Sequence, residues 1–200
     1  MNEIIVLIDN GHGDPPLTGG KCSPDHRLRE YTYCRDIARR IDAALSLRGV
    51  KTVRIVPEKE DVPLPERVRR VNSFCRKHGA KNVVLVSVHN NAAGDDGKWH
   101  DARGFCVFVA QNASASSKKL ARIFTECAEK RSLMGNRWVP DEKYWVKSLA
   151  MCRDTKCPAV LTENLFQDNE EDVAFLLSDA GREAIVALHV EAILEYINNQ

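Results

Sequence analysis

Two hydrophobic patterns alternate along the chain. Short apolar runs rich in β-branched residues and bounded by turn residues predict five strands, at residues 4–8, 51–57, 82–92, 104–110 and 157–166. Between these runs, apolar residues recur every three or four positions, which predicts amphipathic helices. We expect helices from about Leu28 to Gly49, from about Leu64 to Gly79, over 114–132, from about Asn169 to Leu177 and from about Ala180 to Asn198.

The alternation of strands and helices predicts an α/β fold with a mostly parallel sheet covered by helices on both faces. Residues 14–27, rich in Pro, Gly, Thr, Ser and Asp, predict a loop, and the aromatic-rich residues 133–146 predict an irregular segment. No repeat or linker divides the sequence, so we expect a single domain over 1–200. In such sheets ligands bind at the carboxyl ends of the strands, and residues there are the first candidates for chemistry.

Composition and charge narrow the range of partners. The 200 residues are 44% hydrophobic and 28% charged, and their formal net charge of +1 predicts no general attraction to nucleic acid or to an anionic membrane. No apolar run approaches the roughly 20 residues that span a bilayer, and the first residues do not resemble a signal peptide. The seven scattered cysteines predict free, buried thiols and folding in a reducing cytosol.

Three predicted strands run into a side chain that can bind a metal or move a proton. His12 follows the first strand, His89 lies near the end of the third, and Glu163 lies near the end of the last. Glu30, in the first turn of the first helix, is expected at the same edge of the sheet. Two imidazoles, one carboxylate and a solvent molecule are the usual ligands of a catalytic zinc, and a second carboxylate is then free to act as a base.

Each of these residues also has an ordinary structural explanation. His12 alone is a loop histidine, and His89 alone is a hydrogen-bonded histidine at the end of a buried strand. Glu30 favours a helix N-terminus through the helix dipole, and Glu163 can pair with an arginine. Only the four residues together make coincidence the less favoured explanation. The remaining histidines, at 26, 78, 100 and 189, are interpreted as structural.

The segments that carry these residues and their neighbours are DNGHG, LREYTYCRDIA, PLPERVRRVN, VSVHNNA, GFCVFV and CPAVLTENLFQDN. In this order they resemble the zinc-dependent N-acetylmuramoyl-L-alanine amidases of the Amidase_3 type, especially small phage-like ones. The resemblance implies a twisted, mostly parallel sheet of about six strands, phosphorylase/hydrolase-like, between helices. It also implies that His12, Glu30 and His89 bind one Zn²⁺ ion per chain and that Glu163 is the catalytic carboxylate.

The first of these segments differs from the family pattern, which commonly reads Asp-Pro-Gly-His-Gly-Gly. Gly11 and Gly13 let the backbone turn tightly here, and we expect them to leave open space around His12. The loop over 14–27 is unlike the common family version. Few residues separate the helix that ends near Arg131 from the region of Val146, too few for the inhibitory helix of some relatives, so we expect an open site.

The resemblance implies an activity and a substrate. The reaction would be hydrolysis of the amide that joins the lactyl group of N-acetylmuramic acid to L-alanine in peptidoglycan, which separates the stem peptide from the glycan. Candidate substrate-binding residues are Asn91, Arg67 and Trp99. The aromatic residues Trp138, Tyr144 and Trp145 are interpreted equally well as walls of the groove or as ordinary core and rim residues.

Two other classes of function remain open from the sequence. One is a catalytically silent module that binds peptidoglycan, and the other is a zinc peptidase or carboxypeptidase that acts on wall peptides. The residues favour the amidase because all four expected residues are present. We expect a monomeric, single catalytic domain without a wall-binding module. Without a signal peptide, it would be made in the cytoplasm and reach the wall after release, as a phage lysin does, or act on imported muropeptides.

Overall fold

The strands of the sheet are β1 (Ile5–Asn10), β2 (Lys51–Arg54), β3 (Val83–Asn91), β4 (Cys106–Val109), β5 (Trp145–Val146) and β6 (Ala159–Phe166). They come from a computed structural model that describes residues 4–14 and 21–200. They form one sheet in the order β2-β1-β3-β6-β4-β5. The pairs β1–β2, β1–β3, β3–β6 and β4–β5 are parallel, and β4–β6 is antiparallel. The predicted α/β fold with a mostly parallel sheet is confirmed.

The helices cover both faces of this sheet. Their bounds are α1 (Glu30–Ser46), α2 (Leu64–His78), α3 (Ala115–Lys130), α4 (Ala150–Arg153), α5 (Glu170–Leu177) and α6 (Asp179–Asn198). One face packs against α1, α3, α5 and α6, and the other packs against α2 and α4. No helix in the described ranges has the length and apolar character needed to cross a membrane.

The central strands are buried on both faces. In β3, Val84, Val86 and Val88 face the larger core, whereas Val83 and Leu85 face the smaller one. Strands covered on both sides need apolar residues at successive positions rather than at every second position. This explains why the runs in β1 and β3 are nearly continuous in the sequence.

Two short elements lie where the sequence predicted none. The strand β5 has two residues and pairs with β4 through Phe108 and Val109, and α4 has four residues. Elements of this length show no periodicity, so no pattern in the sequence could reveal them. The irregular interpretation of 133–146 was therefore wrong for Trp145 and Val146. The predicted loop over 14–27 falls partly on residues 15–20, which lie outside the described ranges.

The cysteines and His189 have the structural roles that the sequence predicted for them. Six of the seven cysteines are buried, Cys22 is partly exposed, and all are free. His189 lies in the core, where its Nε2 is 3.0 Å from Thr162 Oγ1 and its Nδ1 is 2.8 Å from the carbonyl oxygen of Ile185. Burial disfavours the charged imidazole and lowers the pKa of His189 to about 4. This histidine is a neutral core residue, as its place in the last helix predicted.

Candidate active site

The parallel strands bring their carboxyl ends to one edge, and three side chains meet there. His12 Nε2 lies 3.3 Å from Glu30 Oε2, and His89 Nδ1 lies 3.1 Å from Glu30 Oε1. The centroids of the two imidazole rings are 5.2 Å apart, and the ring planes are nearly perpendicular, at 85°. One nitrogen or oxygen atom of each residue lies within 4.8 Å of the other two. The arrangement predicted for these residues is therefore present, and we name it the His-Glu-His triad.

The turn that carries His12 depends on both neighbouring glycines. His12 has a φ of 58°, in the left-handed region that non-glycine residues seldom adopt. A Cβ atom on Gly11 would lie 2.4 Å from the ring of His89, and one on Gly13 would lie 2.2 Å from the backbone of Asp61. The glycines therefore allow two other segments to approach the turn closely.

Glu30 is held between the two histidines by its own helix. It is the first residue of α1 and is almost fully buried, and its Oε1 also accepts a hydrogen bond of 3.1 Å from the backbone N–H of Asn90. Burial alone would raise the pKa of Glu30, but the hydrogen bonds from His12 and His89 outweigh burial and hold this pKa well below its usual range. Glu30 is thus ionised with both oxygens engaged.

Glu163 lies opposite the triad on the neighbouring strand. It is the register partner of His89 on β3 and of Cys106 on β4. Burial raises the pKa of Glu163 well above its usual range, the nearby charge of Glu30 adds to the effect, and Lys147 and Lys21 oppose it. Its Oε2 atom is buried and has no hydrogen-bond partner among the described residues.

The triad fits a divalent cation. It offers two imidazole nitrogens and one carboxylate, a donor set typical of zinc, and a cation there would offset the repulsion between the carboxyl groups of Glu30 and Glu163. A second group of potential ligands, Cys127, Glu191 and Glu195, is less suitable. Glu191 already forms ion pairs with two basic side chains, Arg131 and Lys130.

A cleft of about 330 Å³ opens beside the triad. His12 and His89 form its floor, and the segment that leads into α2 forms an apolar wall at Val62–Pro65. The side chains of His12 and His89 keep 18% and 16% of their surface exposed. Leu64, at the lip of the cleft, is 53% exposed. A substrate can therefore reach the triad, although the expected open site stays a prediction with respect to residues 15–20.

Arg67 contributes to the lining of this cleft, but its polar atoms are engaged by the protein itself. It is 2% exposed. The guanidinium donates hydrogen bonds to the carboxylates of Asp9 (2.8 Å) and Asp61 (3.0 Å), and also to the backbone carbonyls of Asn10 (2.7 Å), His12 (2.9 Å) and Val62 (2.7 Å). All three guanidinium nitrogens thus have protein partners, and two of the acceptors belong to the turn that presents His12. We infer that Arg67 positions this turn, and its assignment as a substrate-binding residue stays a prediction.

Replacing Arg67 with Met is expected to destabilise the fold by about 3–5 kcal/mol, because the buried carboxylate of Asp9 and the partly buried carboxylate of Asp61 lose this cation. Urea unfolding followed by circular dichroism measures the loss. The matched control is Arg69→Met on the same helix, where an exposed ion pair with Glu66 is removed and stability should change little. A Met variant with unchanged stability and a raised KM would instead show that Arg67 binds substrate.

The other candidate substrate residues lie at different depths. Asn91 is partly buried beside the site, with its Nδ2 3.9 Å from Cys106 Sγ, whereas Trp99 packs against the larger core. Among the remaining aromatics, Tyr144 is buried, Trp145 packs against Phe108, and Trp138 is 74% exposed. Substrate contact by Asn91 and Trp99 stays a prediction.

Sequence reasoning missed a pair of asparagines that joins β3 to β6. Asn90 Nδ2 donates to the carbonyl of Asn164 (2.6 Å), and Asn164 Nδ2 donates to the carbonyl of His89 (2.9 Å). The pairing register shifts here between His89 and Asn91, and Leu165 takes a φ of 63°. Irregular pairing of this kind is frequent beside active sites because it redirects side chains. The only sequence signal was an asparagine within each apolar strand.

The sequence also matches a known protein family over most of its length. Residues 6–195 match the family described as N-acetylmuramoyl-L-alanine amidase. The endolysin of Bacillus phage SPP1 is 28% identical over 197 residues, which cover 97% of this chain and 66% of the phage protein. The chain thus spans about two thirds of the length of this curated relative.

Solved structures extend the comparison to the fold. The N-acetylmuramoyl-L-alanine amidase of Clostridium difficile 630 is 21% identical with a TM-score of 0.82 and complete coverage of both chains. The amidase Ami1 of Mycobacterium smegmatis is 19% identical with a TM-score of 0.83, covering 98% of each chain. These similarities confirm the six-stranded α/β fold.

Proposed function

Because the chain belongs to the N-acetylmuramoyl-L-alanine amidase family, we propose that it hydrolyses the amide between the lactyl group of N-acetylmuramic acid and L-alanine in peptidoglycan. The observation that carries the proposal is the His-Glu-His triad at the carboxyl edge of the sheet, with Glu163 on the next strand. His12, Glu30 and His89 would hold one Zn²⁺ ion per chain. Zinc in such a donor set acts as a Lewis acid that assists attack by water on an amide carbonyl.

The two carboxylates of the site have different environments, which supports different roles. Both oxygens of Glu30 are engaged by the histidines and by the N–H of Asn90. Glu163 keeps an oxygen without a partner in the described part of the chain. Glu163 is therefore the group that accepts the proton of the attacking water at a carboxylate oxygen. It then transfers that proton to the nitrogen of the departing amine.

The surrounding residues orient these groups. Arg67 fixes the backbone of the His12 turn, and the pair of Asn90 and Asn164 fixes the ends of β3 and β6. Groups held by packing and hydrogen bonds need little rearrangement when the substrate reacts. The apolar wall at Val62–Pro65 excludes water from one side of the cleft and offers a contact for apolar parts of the substrate.

The place of action follows from the substrate. Peptidoglycan lies outside the cytoplasmic membrane, so a chain made in the cytoplasm would act on the wall after release, as a phage lysin does. The alternative is action on imported muropeptides. We propose that this domain acts as a monomer on peptidoglycan or its fragments.

Product analysis tests the proposal. The purified protein is assayed for bound zinc and incubated with defined muropeptides, and the products are separated by chromatography. Release of intact stem peptide, with one zinc per chain, is the expected result. Release of a terminal amino acid would identify a carboxypeptidase. Binding of the muropeptide without any product would identify a silent peptidoglycan-binding module.

A further inference from the structure

A second cavity, of about 220 Å³, lies along the same edge of the sheet. Residues 22–26 form one wall, residues 92–98 form another, and Gln167 and Asp168 form the base. Ala92 follows His89 by three positions, and Gln167 follows Glu163 by four. At about 3.3 Å per extended residue, the cavity is on the order of 10 Å from the triad. A peptide attached at the scissile amide can span this distance with two or three residues.

Hydrogen bonds fix both walls of this cavity. In the first wall, the backbone N–H of Ser23 donates to the carbonyl of Leu28 (2.9 Å), and the N–H of Leu28 donates to Ser23 Oγ (3.0 Å). In the second wall, Asp168 Oδ2 accepts from the N–H groups of Ala93 (2.7 Å) and Gly94 (3.0 Å). The cavity is thus formed before any ligand binds, as is usual for binding sites.

The base of the cavity has hydrogen-bond acceptors that nothing in the described part of the chain satisfies. Gln167 is 1% exposed and Asp168 is 5% exposed. Gln167 Oε1 and Asp168 Oδ1 are both buried without a hydrogen-bond partner. Buried acceptors are normally paired, because an unpaired one loses its hydration without compensation. These two atoms therefore indicate a donor that the structure does not contain.

The charge around the cavity points to a cationic donor. Asp95 adds a second carboxylate to the lining, while the lining residue Lys98 has its ammonium 3.9 Å from Asp96 Oδ2. The carboxylates of Asp95 and Asp168 are thus left in excess. A protonated amine has three donors and a positive charge and no acceptor, which matches two free acceptors among carboxylates.

We propose that this cavity binds the protonated side-chain amine of a diamino acid in the stem peptide, an inference that rests on the proposed function. The third residue of a stem peptide begins two residues beyond the scissile amide, about 7 Å along an extended chain, and its side chain covers the remaining distance. Acylation of that amine, as occurs in cross-linking, removes the charge and two of the three donors. The enzyme would therefore prefer stem peptides that are not cross-linked through this amine.

Two N-acetylmuramoyl tripeptides test the proposal directly. They differ only in whether the side-chain amine of the third residue is free or acetylated. We expect kcat/KM to be about tenfold higher for the free amine, with the difference mainly in KM, because the cavity binds the ground state and takes no part in bond cleavage. Equal kcat/KM values for the two substrates would overturn the proposal.

Three variants connect the preference to the cavity. Asp168→Asn keeps one oxygen for the N–H groups of Ala93 and Gly94 but removes the charge, and Asp95→Asn changes an exposed residue that the fold does not need. Either change should lower the preference for the free amine to about twofold or less. The matched control is Asp101→Asn, an exposed carboxylate that does not line the cavity and should keep the full preference.

The outcomes separate this proposal from the proposed function. A wild-type preference that survives both Asp168→Asn and Asp95→Asn would show that another part of the protein recognises the amine and would overturn the proposal. If neither tripeptide is cleaved, the proposed function fails. Calorimetry then decides the cavity separately: tighter binding of the free-amine tripeptide supports the proposal, and equal affinities overturn it.

Discussion

Glu163→Gln is expected to lower kcat by about a thousandfold while leaving the fold and the bound zinc in place. Gln has nearly the same size and fits the position between His89 and Cys106, but it cannot accept the proton of the attacking water. A positioned general base typically contributes 10²–10⁴ in rate, which sets the expected magnitude. The measurements are kcat on a defined muropeptide, zinc content by mass spectrometry and far-ultraviolet circular dichroism.

Glu142→Gln is the matched control for this change, because Glu142 is an exposed carboxylate remote in sequence from every site residue. It should leave kcat and zinc content unchanged. Turnover by Glu163→Gln at the wild-type rate would exclude the base assignment. Simultaneous loss of zinc would show that Glu163 is a ligand, in which case the loss of activity has a different cause.

Removing either histidine of the triad is expected to abolish both zinc binding and turnover. A catalytic zinc is normally held by three protein ligands, and either change leaves only two. Zinc content after dialysis should therefore fall from about one ion per chain to below about one tenth. His89→Ala tests one side of the triad. His12→Asn tests the other, because Asn tolerates the left-handed backbone at this position better than Ala does.

The control for the histidine variants is His100→Ala. His100 pairs with Asp96 at a distance of 3.0 Å outside the triad, so its loss should affect neither zinc nor turnover. Thermal unfolding of each metal-free variant should resemble that of metal-free wild type. Full zinc content in His12→Asn and His89→Ala would place the metal elsewhere and would contradict the assignment of the triad.

The convergence of the site residues could be predicted from sequence because it follows from strand direction. Apolar runs before His12, His89 and Glu163 indicate buried parallel strands, and parallel strands end at the same edge. Glu30 could be placed there because α1 follows β1 and must return along the sheet. The roles proposed for these residues come from the family resemblance, because strand direction alone does not distinguish them.

Contacts between distant residues could not be predicted in the same way. The carboxylates that pair with Arg67 come from β1 and from the segment before α2, so a local pattern shows only a basic residue on a helix. The link between Asn90 and Asn164 depends on the register of two strands 74 residues apart in sequence. The function of Gly11 likewise became evident only when the ring of His89 was seen beside it.

The most direct test of the central claim is anomalous diffraction at the zinc edge from crystals of the purified protein. The account predicts one strong peak per chain, bonded to His12, Glu30 and His89 at about 2.0–2.2 Å, with Glu163 nearby but not bonded. A peak at the cluster of Cys127, Glu191 and Glu195, or no peak at the triad in an active preparation, would contradict it.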